Sequence, residues 1–224
     1  MAISAKKQLA QMARYHAWAT ERLLQSVASI PEEYYRKPCG LFFGSIHGTL
    51  NHLLLTDSEI WYPRFTQTPT TGLSLDAELE RDRAHLASRL IAATARWCGY
   101  VESLDEPALA DDLRYTMTTG QARTLPMPSA LLHVFNHATH HRGQITAAIS
   151  MLGFEYEPLD LPFLDIFRTL IGADEHDAYS CPTPTNGICP RRLDVDLQRP
   201  HLGTATLVQG PSTPSRHVTS AIMH

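Results

Sequence analysis

The sequence predicts an all-α protein: a four-helix bundle with a short hairpin in the long connection before its fourth helix, followed by an irregular C-terminal tail. Three observations lead there. Apolar residues recur at helical spacing in four long stretches, Gly and Pro punctuate the segments between them, and a β-branched run around Gly120 interrupts the helical pattern. A chain of 224 residues that is 43% hydrophobic can bury a substantial core. Residues 1–171 are expected to form the bundle domain, and residues 172–224 the tail.

The first helix is expected over Ala5–Ala28, where Leu9, Met12, Ala13, Ala17, Leu23, Leu24 and Val27 mark an apolar stripe that Pro31 ends. Ser45 is placed to cap a second helix, which runs through His52 to about Phe65 and whose last turn Pro63 loosens. Ser74 is read as the N-cap of a third helix from Leu75 to about Val101. Its Leu79, Leu86, Leu90 and Ala93 would be buried while Glu80, Arg81, Asp82 and Arg83 face water. Between Leu113 and Pro126 the β-branched residues on either side of Gly120 read as a hairpin. Pro128 or Ser129 opens the fourth helix, and Gly153 closes it. Asp160 and Pro162 open a short fifth helix to about Ile171. Beyond Gly172, Pro182, Pro184, Pro190, Pro200, Pro211 and Pro214 lie among Thr, Ser and Gly with no sustained period, hence an irregular tail.

Composition narrows the function classes. A net charge of −4 and a pI near 6.3 leave no basic surplus to neutralise a phosphate backbone, so a small molecule is expected as partner and no nucleic acid. No apolar run approaches the roughly 20 residues that span a bilayer, and Met1–Leu9 lacks the apolar centre of a signal peptide; no membrane partner and cytoplasmic residence are expected. Cys39, Cys98, Cys181 and Cys189 show no CxxC spacing and read as free thiols, and His176, Cys181, Cys189 and His201 match no compact zinc-finger spacing. The chain has no dinucleotide fingerprint, phosphate loop, nucleophile elbow or HExxH motif, so a metal is the cofactor with sequence support.

That support comes from the histidines. Of twelve in the chain, His47 and His52 fall in one short segment, and His133, His137, His140 and His141 in another. Residues four apart on a helix share a face, with Cβ atoms roughly 5–6 Å apart, so a pair at that spacing can serve one ion. His133, His137 and His141 form one stripe, and spacing alone permits either pair. His140 lies off the stripe and reads as an outer or surface group. On the second helix His52, deep in an apolar run, is preferred to His47, which sits five residues away and about 140° around the axis. The alternative is a set of satisfied core histidines, but an unpartnered buried imidazole costs about 1–3 kcal/mol, which makes a cluster of them an expensive core. Asp57 and Glu59 could extend the site: Glu59, seven residues from His52, would return to nearly the same face as a fourth ligand, a general base, a hydrogen-bond partner orienting an imidazole, or simply a solvated acid. Arg142 suits an acid or a substrate equally, and Trp18 and Trp61 read as core aromatics.

With these residues in place, the chain from about Ala10 to Phe167 resembles the DinB family, within the wider DinB/YfiT-like metalloenzyme superfamily. The resemblance rests on Tyr15-His-Ala-Trp18, on Phe42-Phe-Gly-Ser-Ile-His-Gly-Thr-Leu-Asn-His52 continuing to Asp57 and Trp61, on Leu132-His-Val-Phe-Asn-His137-Ala-Thr-His-His141-Arg-Gly-Gln144, and on Gly153 followed by Pro158-Leu-Asp160. It implies a four-helix bundle, a homodimer, and a divalent metal, zinc or nickel, held by His52, His137 and His141. The superfamily includes thiol-dependent S-transferases and maleylpyruvate-isomerase-like enzymes. The implied activity is therefore a metal-dependent transfer using a low-molecular-weight thiol, with metal-assisted hydrolysis or a non-catalytic, stress-related metal-binding bundle as alternatives.

Overall fold

The structure, a computed structural model, describes residues 4–164. The continuation of the expected fifth helix past Leu164, the tail 172–224 and the residues His176, Cys181, Cys189 and His201 lie outside the described residues. What is described is mainly helical, with one small hairpin. No described helix is long and apolar enough to cross a membrane.

Helix α1 spans Ala5–Ala28 and begins where Ser4 Oγ accepts a hydrogen bond from the Lys7 amide, filling one of the donors that a helix start leaves unpaired. Pro31 ends it, and a short helix α2, Glu32–Arg36, follows. Ser45 caps α3, Ile46–Leu55, by accepting from the Gly48 amide at 3.1 Å. The segment then runs through a π-helical turn, Thr56–Trp61, into α4, Tyr62–Thr66. A π turn inserts one residue, and everything after it is rotated about the helix axis relative to the α-helical expectation.

The third long helix corrects the sequence reading. Helix α5 spans Arg83–Ser103 and is capped by Asp82, whose Oδ1 accepts from the His85 amide at 2.8 Å; Ser74 is not its cap. Residues 74–82 instead lie as a strap along α3. The Asn51 amide explains why: its Nδ2 donates to Glu80 O at 3.0 Å and its Oδ1 accepts from Glu80 N at 2.9 Å. Backbone groups engaged by a buried side chain are not free to form a helical turn.

A short helix α6, Glu106–Ala110, leads into the hairpin, in which β1, Asp112–Thr116, pairs antiparallel with β2, Ala122–Pro126, with Leu113 opposite Leu125. Gly120 takes φ +84° in the connecting loop. Helix α7 spans Met127–Met151 and ends in a Schellman motif: Phe154 N donates to Ile149 O and Gly153 N to Ser150 O, both at 3.0 Å, with Gly153 at φ +82°.

Helix α1 packs against α5 and α7, and α3 packs against α2, α5 and α7. The apolar interior falls into two large clusters and a small third one of Tyr15, Ala19 and Leu164. One large cluster holds Ala13, Ala17, Trp61, Phe65, Trp97, Leu131 and Phe135, and the other Leu23, Leu24, Leu50, Leu53, Leu86, Leu90, Ile145 and Ile149. On α1 and α7 the residues between the two large clusters are polar and buried: His16 and Thr20, then His137, His141 and Arg142.

Candidate metal centre

The polar layer contains two adjoining groups. In the first, α3 supplies His52, fully buried, and α7 supplies His137 and His141, 9% and 5% exposed. Their ring nitrogens converge: His137 Nε2 lies 3.4 Å from His52 Nε2 and 3.1 Å from His141 Nε2, and one ligand atom from each residue falls within 4.8 Å of the others. Among the described residues no acidic side chain or thiol joins this group.

The outer nitrogens explain the orientation of two of the rings. His52 Nδ1 donates to Leu75 O at 2.8 Å, and a carbonyl can only accept. His141 Nδ1 donates to Gln144 Oε1 at 2.8 Å, while Gln144 Nε2 donates to His140 Nε2 at 3.0 Å. In the neutral state each of these two imidazoles therefore carries its proton on Nδ1 and turns an Nε2 lone pair inward. Both lone pairs face His137 Nε2 at hydrogen-bond distance, so a cation at the centre of the trio would be met by all three nitrogens once that nitrogen is deprotonated. The donor set fits such an ion: two nitrogens held about 2.0–2.1 Å from a tetrahedral centre stand about 3.3 Å apart, between the two observed separations.

Phe43 covers this group, stacking on His52 with ring centroids 3.7 Å apart and planes at 17°. It is presented by the turn Leu41–Gly44, which Gly44 permits with φ +79°. That turn lies so close to α3 that a Cβ on Gly48 would collide with the carbonyl oxygen of Phe43. Gly48→Ala is therefore expected to push the turn away from His52, costing about 1–3 kcal/mol in urea unfolding and loosening metal retention against a chelator. Unchanged values for both would rule the close approach out.

The second group lies between α1, the π turn and α7. Asp57 Oδ1 accepts from His16 Nε2 at 3.2 Å and from Trp97 Nε1 at 3.0 Å; Arg142 Nη1 donates to His16 Nδ1 at 3.0 Å, and its Nη2 to Thr139 Oγ1 at 2.9 Å. His16, Asp57 and Arg142 are all buried. Burial pushes the Arg142 guanidinium below its ordinary pKa.

The remaining sequence candidates lie elsewhere. His47 Nε2 donates to Glu78 Oε1 at 2.7 Å and its Nδ1 accepts from Tyr35 OH at 3.0 Å, so it anchors the strap. That bond holds the Glu78 carboxyl below its usual range, and burial pushes the Tyr35 phenol up to about 12. Glu59 does not reach His52; it is half-buried and accepts from Ser58 Oγ, because the π turn has rotated it off that face. Asp57 belongs to the second group, and Arg142 meets a histidine rather than an acid. His140 is exposed. His133 sits on the same stripe, its ring 5.8 Å from that of His137, but outside the converging trio. Sequence reasoning missed His16, Phe43, Gly48 and the Leu75 carbonyl. His16 alone carried a signal, a histidine at helical spacing within the apolar stripe of α1.

A mainly helical protein in which two helices bring three buried histidines to one point defines a class of candidate divalent-metal proteins. The chain belongs to the DinB family, whose sequence profile matches residues 1–169. It is similar to a protein of Bacillus subtilis (strain 168) named Protein DinB, with 24% identity over 152 residues that cover 65% of this chain and 87% of the relative. No solved structure matches it.

Proposed function

We propose that His52, His137 and His141 hold a divalent ion, zinc or nickel, and that the protein uses it in thiol-dependent transfer to or from a small substrate. The observation that carries this reading is the inward aim of two Nε2 lone pairs, fixed from outside by Leu75 O and Gln144 Oε1. Outer hydrogen bonds of that kind accompany histidine ligands in metal sites generally. Three neutral imidazoles suit zinc or nickel and leave the ion its full charge and an open position, as catalytic centres do. When bound, such an ion lowers the pKa of a thiol or water that reaches it and so supplies a nucleophile at neutral pH. Phe43 limits solvent at the face of His52, and Gln144 holds His141 in the tautomer required. The resemblance to a wider superfamily that includes thiol-dependent S-transferases supports the thiol as cosubstrate.

The test is spectroscopic. Protein purified without a histidine tag is expected to carry close to one divalent ion per chain, and after cobalt substitution a low-molecular-weight thiol should produce a sulfur-to-metal charge-transfer band that His137→Ala abolishes. If glutathione, mycothiol-like and bacillithiol-like thiols all leave the spectrum unchanged while metal is retained, hydrolysis or non-catalytic metal binding replaces thiol transfer.

We further propose that the long helical segments form the four-helix bundle and dimer implied by the resemblance, that the protein works in the cytoplasm, and that residues 1–171 are a domain independent of 172–224. Deleting residues after Gly172 is expected to leave the melting temperature nearly unchanged, because Pro-rich aperiodic sequence offers little apolar surface to bury. A fall of many degrees would make the tail part of the core or of the dimer.

A further inference from the structure

Beside the histidine trio lie polar atoms that the fold leaves without partners. Arg64, on α4, is only 4% exposed, yet among the described residues its Nε and Nη1 have no hydrogen-bond partner. Its guanidinium carbon stands 4.6 Å from the ring centre of Trp61 and 4.6 Å from that of Tyr115 on β1. Aromatic rings attract a cation but do not provide the oxygen acceptors that N–H groups require. No carboxylate among the described residues pairs with it.

His133 repeats the pattern from the other side. It lies one helical turn before His137, its ring stacked beside that ligand candidate at 5.8 Å, and its Nε2 is buried without a partner. The Trp61 ring that contacts Arg64 also contacts His133, with centroids 4.7 Å apart. Trp61 therefore joins the two, with the guanidinium on its ring at 4.6 Å and the imidazole at 4.7 Å. Buried polar groups are nearly always partnered, and an orphaned cation is among the most expensive exceptions.

We propose that Arg64 and His133 form the recognition site for a carboxylate of the small-molecule substrate, next to the metal centre and walled by Trp61 and Tyr115. A single guanidinium balances a monoanion, which favours a carboxylate over a phosphate dianion. The same molecule would then present its reacting end to the His52, His137 and His141 centre. That last step rests on the metal-site reading above, whereas the anion site rests on Arg64 and His133 alone.

The test compares two thiols of similar length on the cobalt-loaded protein, mercaptoacetate and mercaptoethanol, which differ in terminal charge. The native protein is expected to prefer mercaptoacetate about tenfold more strongly than Arg64→Met does, any preference left in the variant being chelation of cobalt by the carboxylate itself, with metal content and mercaptoethanol affinity unchanged. His133→Gln should reduce the preference in part. An equal preference in the native protein and in Arg64→Met would overturn the proposal. If neither thiol perturbs the cobalt spectrum, the thiol reading alone fails. The anion site is then decided by acetate titration of the metal-free protein, followed by tryptophan emission: a response lost in Arg64→Met supports it, and no response overturns it. Stability gives an independent reading. A residue kept for a ligand at the expense of the fold should give way to Met with a rise in melting temperature, and a fall of several degrees would make Arg64 structural and sink the idea.

Discussion

His137→Ala is expected to abolish stoichiometric metal binding, with His52→Ala and His141→Ala close behind. Each change removes one of three converging nitrogens, and an ion left with two protein ligands loses far more than the 10- to about 100-fold that follows from disturbing an outer hydrogen bond. Gln144→Ala, which frees the His141 ring without removing it, provides that milder comparison. His47→Ala, His133→Ala and His140→Ala should retain most of the metal, since none belongs to the trio. Elemental analysis after dialysis against a weak chelator reads all seven variants. Metal loss in His133→Ala together with retention in His141→Ala would mean that the wrong pair on α7 had been assigned. Melting temperature should fall with metal content, because a ligand present at about a thousand times its dissociation constant stabilises by about 4 kcal/mol.

The second large effect lies in the adjoining polar group. Asp57→Ala is expected to destabilise the fold by about 3–5 kcal/mol, the usual result of removing one member of a buried charged network. Three donors explain the size. His16 Nε2 and Trp97 Nε1 both lose their acceptor, and the Arg142 cation, linked through His16, loses its counter-charge in a site with no water access. Asp57→Asn keeps an oxygen for one donor and should cost less. Urea unfolding at neutral pH measures both, and a loss below about 1 kcal/mol for the alanine variant would show that the network contributes little.

The main helices were legible from their apolar stripes and from Ser45 at a start and Pro31 and Gly153 at ends, whereas the Ser4 cap of α1 emerged only in the structure. The hairpin was legible from Gly120 and its β-branched flanks. The start of α5 was not. Ser74 and Asp82 are both good caps, and the choice between them rests on the Asn51 amide, which takes up the backbone of Glu80 from a helix about thirty positions earlier. No local pattern encodes that. Glu59 failed for a related reason, since the expectation that it shares a face with His52 assumed an unbroken α-helix through Thr56–Trp61. At the histidines, residue identity and spacing reduced the choice to two overlapping pairs. What remained undetermined was rotation, which depends on what each ring meets on its outer nitrogen, and one of those partners is a main-chain carbonyl with no side-chain signature.

The carbonyl of Leu75 sets different rules for drift and for redesign than a side-chain partner would. Every amino acid brings the same oxygen, so point substitution at position 75 leaves the acceptor for His52 in place. Changes in length do not. One residue inserted or deleted between Gly72 and Asp82 would slide the strap along Asn51 and present a different peptide group to the ring. Relatives that keep this function should therefore vary more in residue type at position 75 than at the anchoring Glu78, while holding the strap's length constant. A library intended to retune the centre would do better to vary loop length there than to saturate single positions.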